Sequence, residues 1–273
     1  LESIRGYLKK QNEKYVIMTD SNIAVNFDFN DLLHAHIKSG ADATVVYRKQ
    51  EIPDSLIRQS TETVDMYYAL GINGDHVSKI YVNPTEKGEM NFCLNIYVME
   101  RELLIRMIDD AYVHGYTNFV RDILERQIEH LDVRGYCYDG YVALIHDMKS
   151  YFEENMKLLK EENLNALFSG NQIYTKIRDD NPTRYINGSK AKNVMVADGC
   201  VIEGEVENSI LFRGVHIGKG AKVKNCVLMQ DTIIENHASV EYVITDKDVT
   251  ITEGKSLTGN ESFQVFVAKG QTV

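Results

Sequence analysis

Several things are scarce in this 273-residue sequence, and each scarcity removes a class of function. Its four cysteines, Cys93, Cys137, Cys200 and Cys226, fall at no metal-ligand spacing and read as buried reduced thiols. No apolar run approaches the ~20 residues needed to span a bilayer, so no membrane partner is expected. Positive charge is in deficit: the net charge is −10, which argues against nucleic acid as a partner. No glycine-rich phosphate loop is present in these residues, where no two glycines are even adjacent, and such a loop would fall in the segment expected upstream of Leu1. The length predicts about two domains, and a cytoplasmic location is expected. Leu1 falls in the middle of a polar amphipathic stretch, so a further N-terminal segment is expected ahead of it.

The chain is organised around a repeat in its last third. Val206, Val223 and Val240 open successive copies 17 residues apart. Val215, Thr232 and Val249 correspond, as do Ile217, Ile234 and Ile251, while Gly214, Asp231 and Asp248 take a turn position. A shorter copy runs from Asn193 to Gly204. Small aliphatic residues recur about every five or six positions inside each copy, the signature of a parallel β-helix whose coils stack their aliphatic residues. A β-sandwich is the alternative. Cys200 and Cys226 fall on inward positions of the repeat, and His216 and His237 on outward or turn positions.

From the start of the chain, residues 1–12 read as the tail of a helix. Tyr15 to Met18 has the length and residue type of a buried parallel strand, ending at Thr19-Asp20-Ser21. Ligands and metals bind at the carboxyl ends of strands in open α/β sheets, which singles out Asp20. Its plainer reading is a cap or turn residue. A helix over Leu32–Ser39, capped by Asn30/Asp31 and closed by Gly40, leads to a strand over Ala43–Tyr47, making a βαβ crossover and hence a parallel sheet. His34 and His36 stand two apart on that helix, face different sides and form no metal pair. Strands are expected over Ile80–Val82, stopping at Asn83-Pro84, and over Phe92–Met99. Helices are expected over 100–110 and 118–130, strand structure near Tyr136–Ala143, and one long amphipathic helix from Asp147 to Gly170. The division that follows is 1–170 for an α/β domain, 171–192 for a linker and 193–273 for the β-helix.

This order of domains resembles the ADP-glucose pyrophosphorylase (glucose-1-phosphate adenylyltransferase) family over nearly the whole chain. Val16-Ile-Met-Thr-Asp20 is similar to the family's strand ending in a metal-binding Asp, and Asn95-Ile-Tyr-Val-Met99 to its Gly-Ile-Tyr-Val-Phe strand. Phe119-Val-Arg-Asp122 is similar to its Phe-Gly-Lys-Asp helix start, and Tyr174 through Pro182 to its interdomain linker. The resemblance implies a Rossmann-like nucleotidyltransferase domain, incomplete at its N-terminus, followed by a left-handed parallel β-helix.

The departures from the family are chemical. Where the family carries the second metal-binding Asp, eleven residues before the position of Asn155, this chain has Leu144, which offers no oxygen to Mg²⁺. Where the family's Glu-Lys-Pro holds the sugar phosphate, this chain has Val82-Asn83-Pro84, and Asn83 lacks the charge to neutralise a phosphate. Asp20 is then a vestige of a metal site. Nucleotidyl transfer depends on such metal ions and cations, so loss of both groups predicts a chain without its own activity. The resemblance is accordingly to the family's non-catalytic, regulatory type of subunit. Its expected partner is a catalytic subunit in a tetramer, with Mg²⁺ required only if activity is retained.

A basic cluster of Lys176, Arg178, Arg184, Lys190 and Lys192, in or beside the linker, is the candidate site for a sugar-phosphate or nucleotide effector. Its plainer reading is a solvated linker balanced by Asp179 and Asp180. Three other functions stay open: an active adenylyltransferase that uses Asp139 or Asp147 as the second carboxylate, a β-helix acyltransferase with His216 or His237 as base, and a scaffold without an effector.

Overall fold

The computed structural model describes residues 2–59, 67–175 and 179–273. The chain divides into two compact units, Leu1–Ile23 with Phe27–Gly140 and Ala24–Asn26 with Tyr141–Val273. In chain order the first unit opens with α1 (Glu2–Leu8) and β1 (Tyr15–Thr19), and β2 (Ile23–Val25) straddles the division. There follow α2 (Phe29–Ser39), β3 (Ala43–Glu51), α3 (Asp54–Gln59), β4 (Tyr68–Asn73), β5 (His76–Val82) and β6 (Glu89–Glu100). Then come α4 (Arg101–His114), a π-helical turn (Phe119–Leu124) running into the short α5 (Glu125–Gln127), and β7 (Val133–Cys137).

The sheet of this unit has the order β1-β6-β3-β7-β5-β4. β1 and β3 point the same way with α2 between them, as the crossover requires, but β6 is inserted between them and runs antiparallel to both. Among the described residues only β3 and β7 pair in parallel in this sheet, so the sheet is mixed. The run Phe92, Cys93, Leu94, Ile96, Tyr97, Val98 and Met99 is buried along both faces, which suits a central strand. β1, expected to be buried, lies at the sheet's edge and is half-exposed.

Local chemistry sets the helix ends. Asp28, two residues ahead of the expected cap, accepts a bond from Asn30 N at 2.8 Å to start α2, and Gly40 closes it in the left-handed region with φ 68°. On α2 the side chain of His36 is buried against Thr44 Oγ1 at 2.8 Å while His34 faces outward. The helix expected over 118–130 is mostly the π-helical turn, whose first amides bond the side chain of Asn118.

The second unit adds β8 (Val142–Leu144), α6 (Met148–Lys157) and α7 (Glu161–Phe168). The single helix expected from 147 to 170 is therefore two. Asp147 and Ser150 cap α6 reciprocally, and Asn163 Nδ2 bonds the carbonyl of Lys157 at 2.9 Å, giving the orphaned end of α6 a partner. Phe152 of α6 packs on Val227 and Ile244 of the repeat, which places this helix in the same unit as the β-helix.

The repeat is a solenoid of stacked parallel coils. Val206, Val223, Val240 and Leu257 are successive partners on one wall, and Ile202, Ile217, Ile234 and Ile251 on another. Arg184 and Tyr185 pair with Val201 and Ile202, so coil pairing starts at 184, inside the expected linker. The inward residues Val215, Ile217, Ile234, Val249, Ile251, Cys200 and Cys226 are fully buried. Corners fall in the left-handed region: Asn193, Asn208, Asn225 and Tyr242 at φ 51°, 45°, 50° and 53°, and Gly214, Asp231 and Asp248 at 71°, 57° and 60°. Gly, Asn and Asp tolerate that conformation best, which explains the turn residues of the repeat. Gly204 answers a second constraint, since a Cβ there would stand 2.4 Å from the carbonyl oxygen of Ala221.

Candidate functional site

Asp20 follows β1 at the sheet edge and is exposed. Its amide bonds the carbonyl of Asn95 at 3.3 Å, and its Oδ2 accepts a bond from Asn95 Nδ2 at 2.7 Å. Asn95 lies inside β6 with φ 53°, opposite the irregularity between Val46 and Tyr47. Its own Oδ1 accepts from the Tyr97 hydroxyl at 3.0 Å and from Cys93 Sγ at 3.5 Å. Burial pushes the Cys93 thiol up to about 11 and the Tyr97 hydroxyl well above its ordinary value, so both keep their protons near neutrality and act as donors. Two donors on one side fix the carboxamide oxygen there and turn its NH₂ toward Asp20.

Among the described residues no three His, Cys, Asp or Glu side chains form a group able to hold a metal, and Asp20 is a single carboxylate whose Oδ2 is engaged by Asn95. Leu144, the residue the resemblance sets at a second metal position, ends β8 and has a hydrocarbon side chain. Of the alternative carboxylates, Asp147 is engaged as the cap of α6, and Asp139 accepts from Cys137 Sγ at 3.4 Å. Cys137 is exposed, contrary to the expectation that all four thiols are buried.

Asn83 follows β5 with φ 45°, and its Oδ1 accepts the amide of Tyr67 at 3.2 Å. Asn83 N bonds Tyr67 O at 3.0 Å, and the Tyr67 hydroxyl bonds the carbonyl of Pro84 at 2.7 Å. Asn83 thus extends the β4–β5 ladder by one rung.

Of the basic cluster, Lys176 and Arg178 lie outside the described residues. Arg184 is exposed on the first rung of the solenoid. Lys190 Nζ pairs with Glu205 at 2.7 Å, and Lys192 Nζ with Glu207 at 3.2 Å, on neighbouring strands. Lysine and glutamate alternate across the coils, so these charges answer each other. The cross-coil placement was the part that linear reading missed; the 15-residue offset of Lys190 from Glu205 was its signal. His216 faces Glu203 at 3.2 Å, and His237 occupies an exposed corner at φ 57°.

A family profile described as "GlmU-like, C-terminal hexapeptide" matches residues 177–263. Glycogen biosynthesis protein GlgD of Bacillus subtilis (strain 168) is 31% identical over 265 residues, covering 97% of this chain and 65% of that protein. The chain is similar to glucose-1-phosphate adenylyltransferases and to GlgD proteins. The glucose-1-phosphate adenylyltransferase of Geobacillus stearothermophilus is 29% identical over 80% of this chain and 56% of its own length. The GlgD of that organism is 32% identical over 80% of this chain and 51% of its own. The chain spans about half to two thirds of the length of the curated relatives it matches. Among the described residues no helix is long and apolar enough to cross a membrane.

Proposed function

We propose that this chain acts in glycogen biosynthesis as a regulatory subunit of glucose-1-phosphate adenylyltransferase, without activity of its own. The observation behind this reading is the Asp20–Asn95 bond: the carboxylate at the family's metal position is engaged by a carboxamide, and Leu144 stands at the position of its metal-binding partner. Asn83, tied to the backbone of Tyr67, supports it from the sugar-phosphate side. The GlgD relatives supply the context of glycogen biosynthesis.

Regulation of this kind works by differential contacts in two states of a catalytic partner in a hetero-oligomer. An effector site at the basic cluster would rest on Arg184 together with Lys176 and Arg178, because Lys190 and Lys192 already face glutamates.

The test measures ADP-glucose formation by the catalytic adenylyltransferase of the same cell, alone and with an equimolar amount of the full protein, and by the full protein alone. A changed maximal rate or substrate affinity in the mixture, with no turnover by this protein alone, is the expected result. Turnover by this protein alone would overturn the reading in favour of an active adenylyltransferase.

A further inference from the structure

Within the second unit, an open groove of about 570 Å³ lies between α6 and one corner of the solenoid. Its volume is within the ~300–1,000 Å³ range of small-molecule sites. The corner wall is a column of carboxamides, Asn193, Asn208 and Asn225, brought into line by the parallel stacking of coils about 4.8 Å apart. Asn193 Nδ2 bonds Asn208 Oδ1 at 2.8 Å, and the ladder stops there. Among the described residues the carboxamide of Asn225 has no hydrogen-bond partner, although it lines the groove. On the next coil Tyr242 replaces the asparagine, its ring centroid 6.1 Å from that of Phe152.

The apolar part of the opposite wall is Met156 of α6 and Leu159 just beyond it; Phe152 also lines it but is only 4% exposed, packed on Val227 and Ile244. The charges at the rim cancel. Lys157 pairs with Glu154 at 2.6 Å and Glu153 with Lys149 at 3.5 Å, which leaves Lys160 and Glu261, one of each sign. No net positive field is present to hold a phosphate.

We propose that this groove binds a short neutral oligosaccharide. Carboxamides donate and accept at once, which suits a ligand with hydroxyls along its edges. The apolar wall and the Tyr242 ring suit the C–H faces of sugar rings. The site stands independently of the regulatory reading, because it uses no residue of the Asp20, Asn83 or basic-cluster positions.

The experiment is calorimetric titration of the full protein with maltotriose, cellotriose and glucose 1-phosphate. Saturable binding of either trisaccharide, tighter than that of glucose 1-phosphate, is the expected result. Asn225→Gly keeps the left-handed corner accessible and removes the open carboxamide, so affinity falls about fivefold. Met156→Trp fills the groove from the apolar side and abolishes binding while thermal unfolding stays cooperative. The proposal is overturned if neither trisaccharide binds, if glucose 1-phosphate binds more tightly than both, or if both variants bind like the parent.

Discussion

Asn95 donates to Asp20 across 2.7 Å and accepts the Tyr97 hydroxyl at 3.0 Å, so one carboxamide links an exposed carboxylate to a buried phenol. The link depends on a backbone that places an asparagine at φ 53° within a central strand. Asn95→Gly keeps the backbone and loses the bonds, so it should lower stability by about 1–2 kcal/mol. Asn95→Ala adds the cost of a Cβ in the left-handed region, about 1 kcal/mol more. Urea unfolding of the two variants checks the order; equal losses would show that the left-handed backbone contributes nothing.

Asp122 makes stability depend on acid. Its carboxylate is held well below the ordinary aspartate range, first by Arg121 and then by the backbone amides of Asn118 and Thr117, at 2.9 and 3.1 Å. A depressed folded-state value means that the stabilisation is present above the unfolded value near ~4 and is lost as pH falls below it. Asp122→Asn should therefore be less stable than the parent at pH 7 and should decline less between about pH 5 and 2. Parallel decline of the two curves would remove Asp122 from the account.

Thiol reactivity should separate one cysteine from three. Burial pushes the Cys226 thiol up to about 12 and Cys93 up to about 11, and Cys200 is raised and enclosed as well. The Cys137 thiol is raised too, by partial burial and Asp139, but it alone is exposed. Iodoacetamide at pH 8 should modify Cys137 first in the native protein, and all four only after denaturation; the modified peptides are read by mass spectrometry.

Ile234 tests the solenoid. It is fully buried between Ile217 and Ile251 on adjacent coils. Ile234→Ala should cost about 2–5 kcal/mol. Because each coil touches only its neighbours, amide exchange should rise most on the strands around 217, 234 and 251 rather than uniformly.

The solenoid was legible because its central coils share one length, and identical partners such as Val206, Val223 and Val240 repeat at that length. The sheet was less so. Phe92–Met99 announces a strand but not its neighbours, and its insertion between β1 and β3 depends on pairings far apart in sequence. The break between α6 and α7 has neither glycine nor proline to mark it; the sign was Asn163, whose side chain competes for a helix carbonyl. At the candidate site, Asp20 was singled out by its place at a strand end. Its partner Asn95 was hidden, although an asparagine in an apolar run was a hint of the left-handed geometry.

The register of the solenoid also constrains how such a chain can change length. Val206, Val223 and Val240 hold the same wall because the coil repeats at 17 residues, and the shorter coil from Ala191 to Val206 still joins it in register. An insertion of one residue within a strand would turn every inward aliphatic of that strand to solvent and every outward lysine or glutamate into the core. Duplication of a whole coil would leave each residue facing the neighbour it already has. Growth and shrinkage of this domain therefore proceed in steps of a coil, with smaller adjustments confined to the corners.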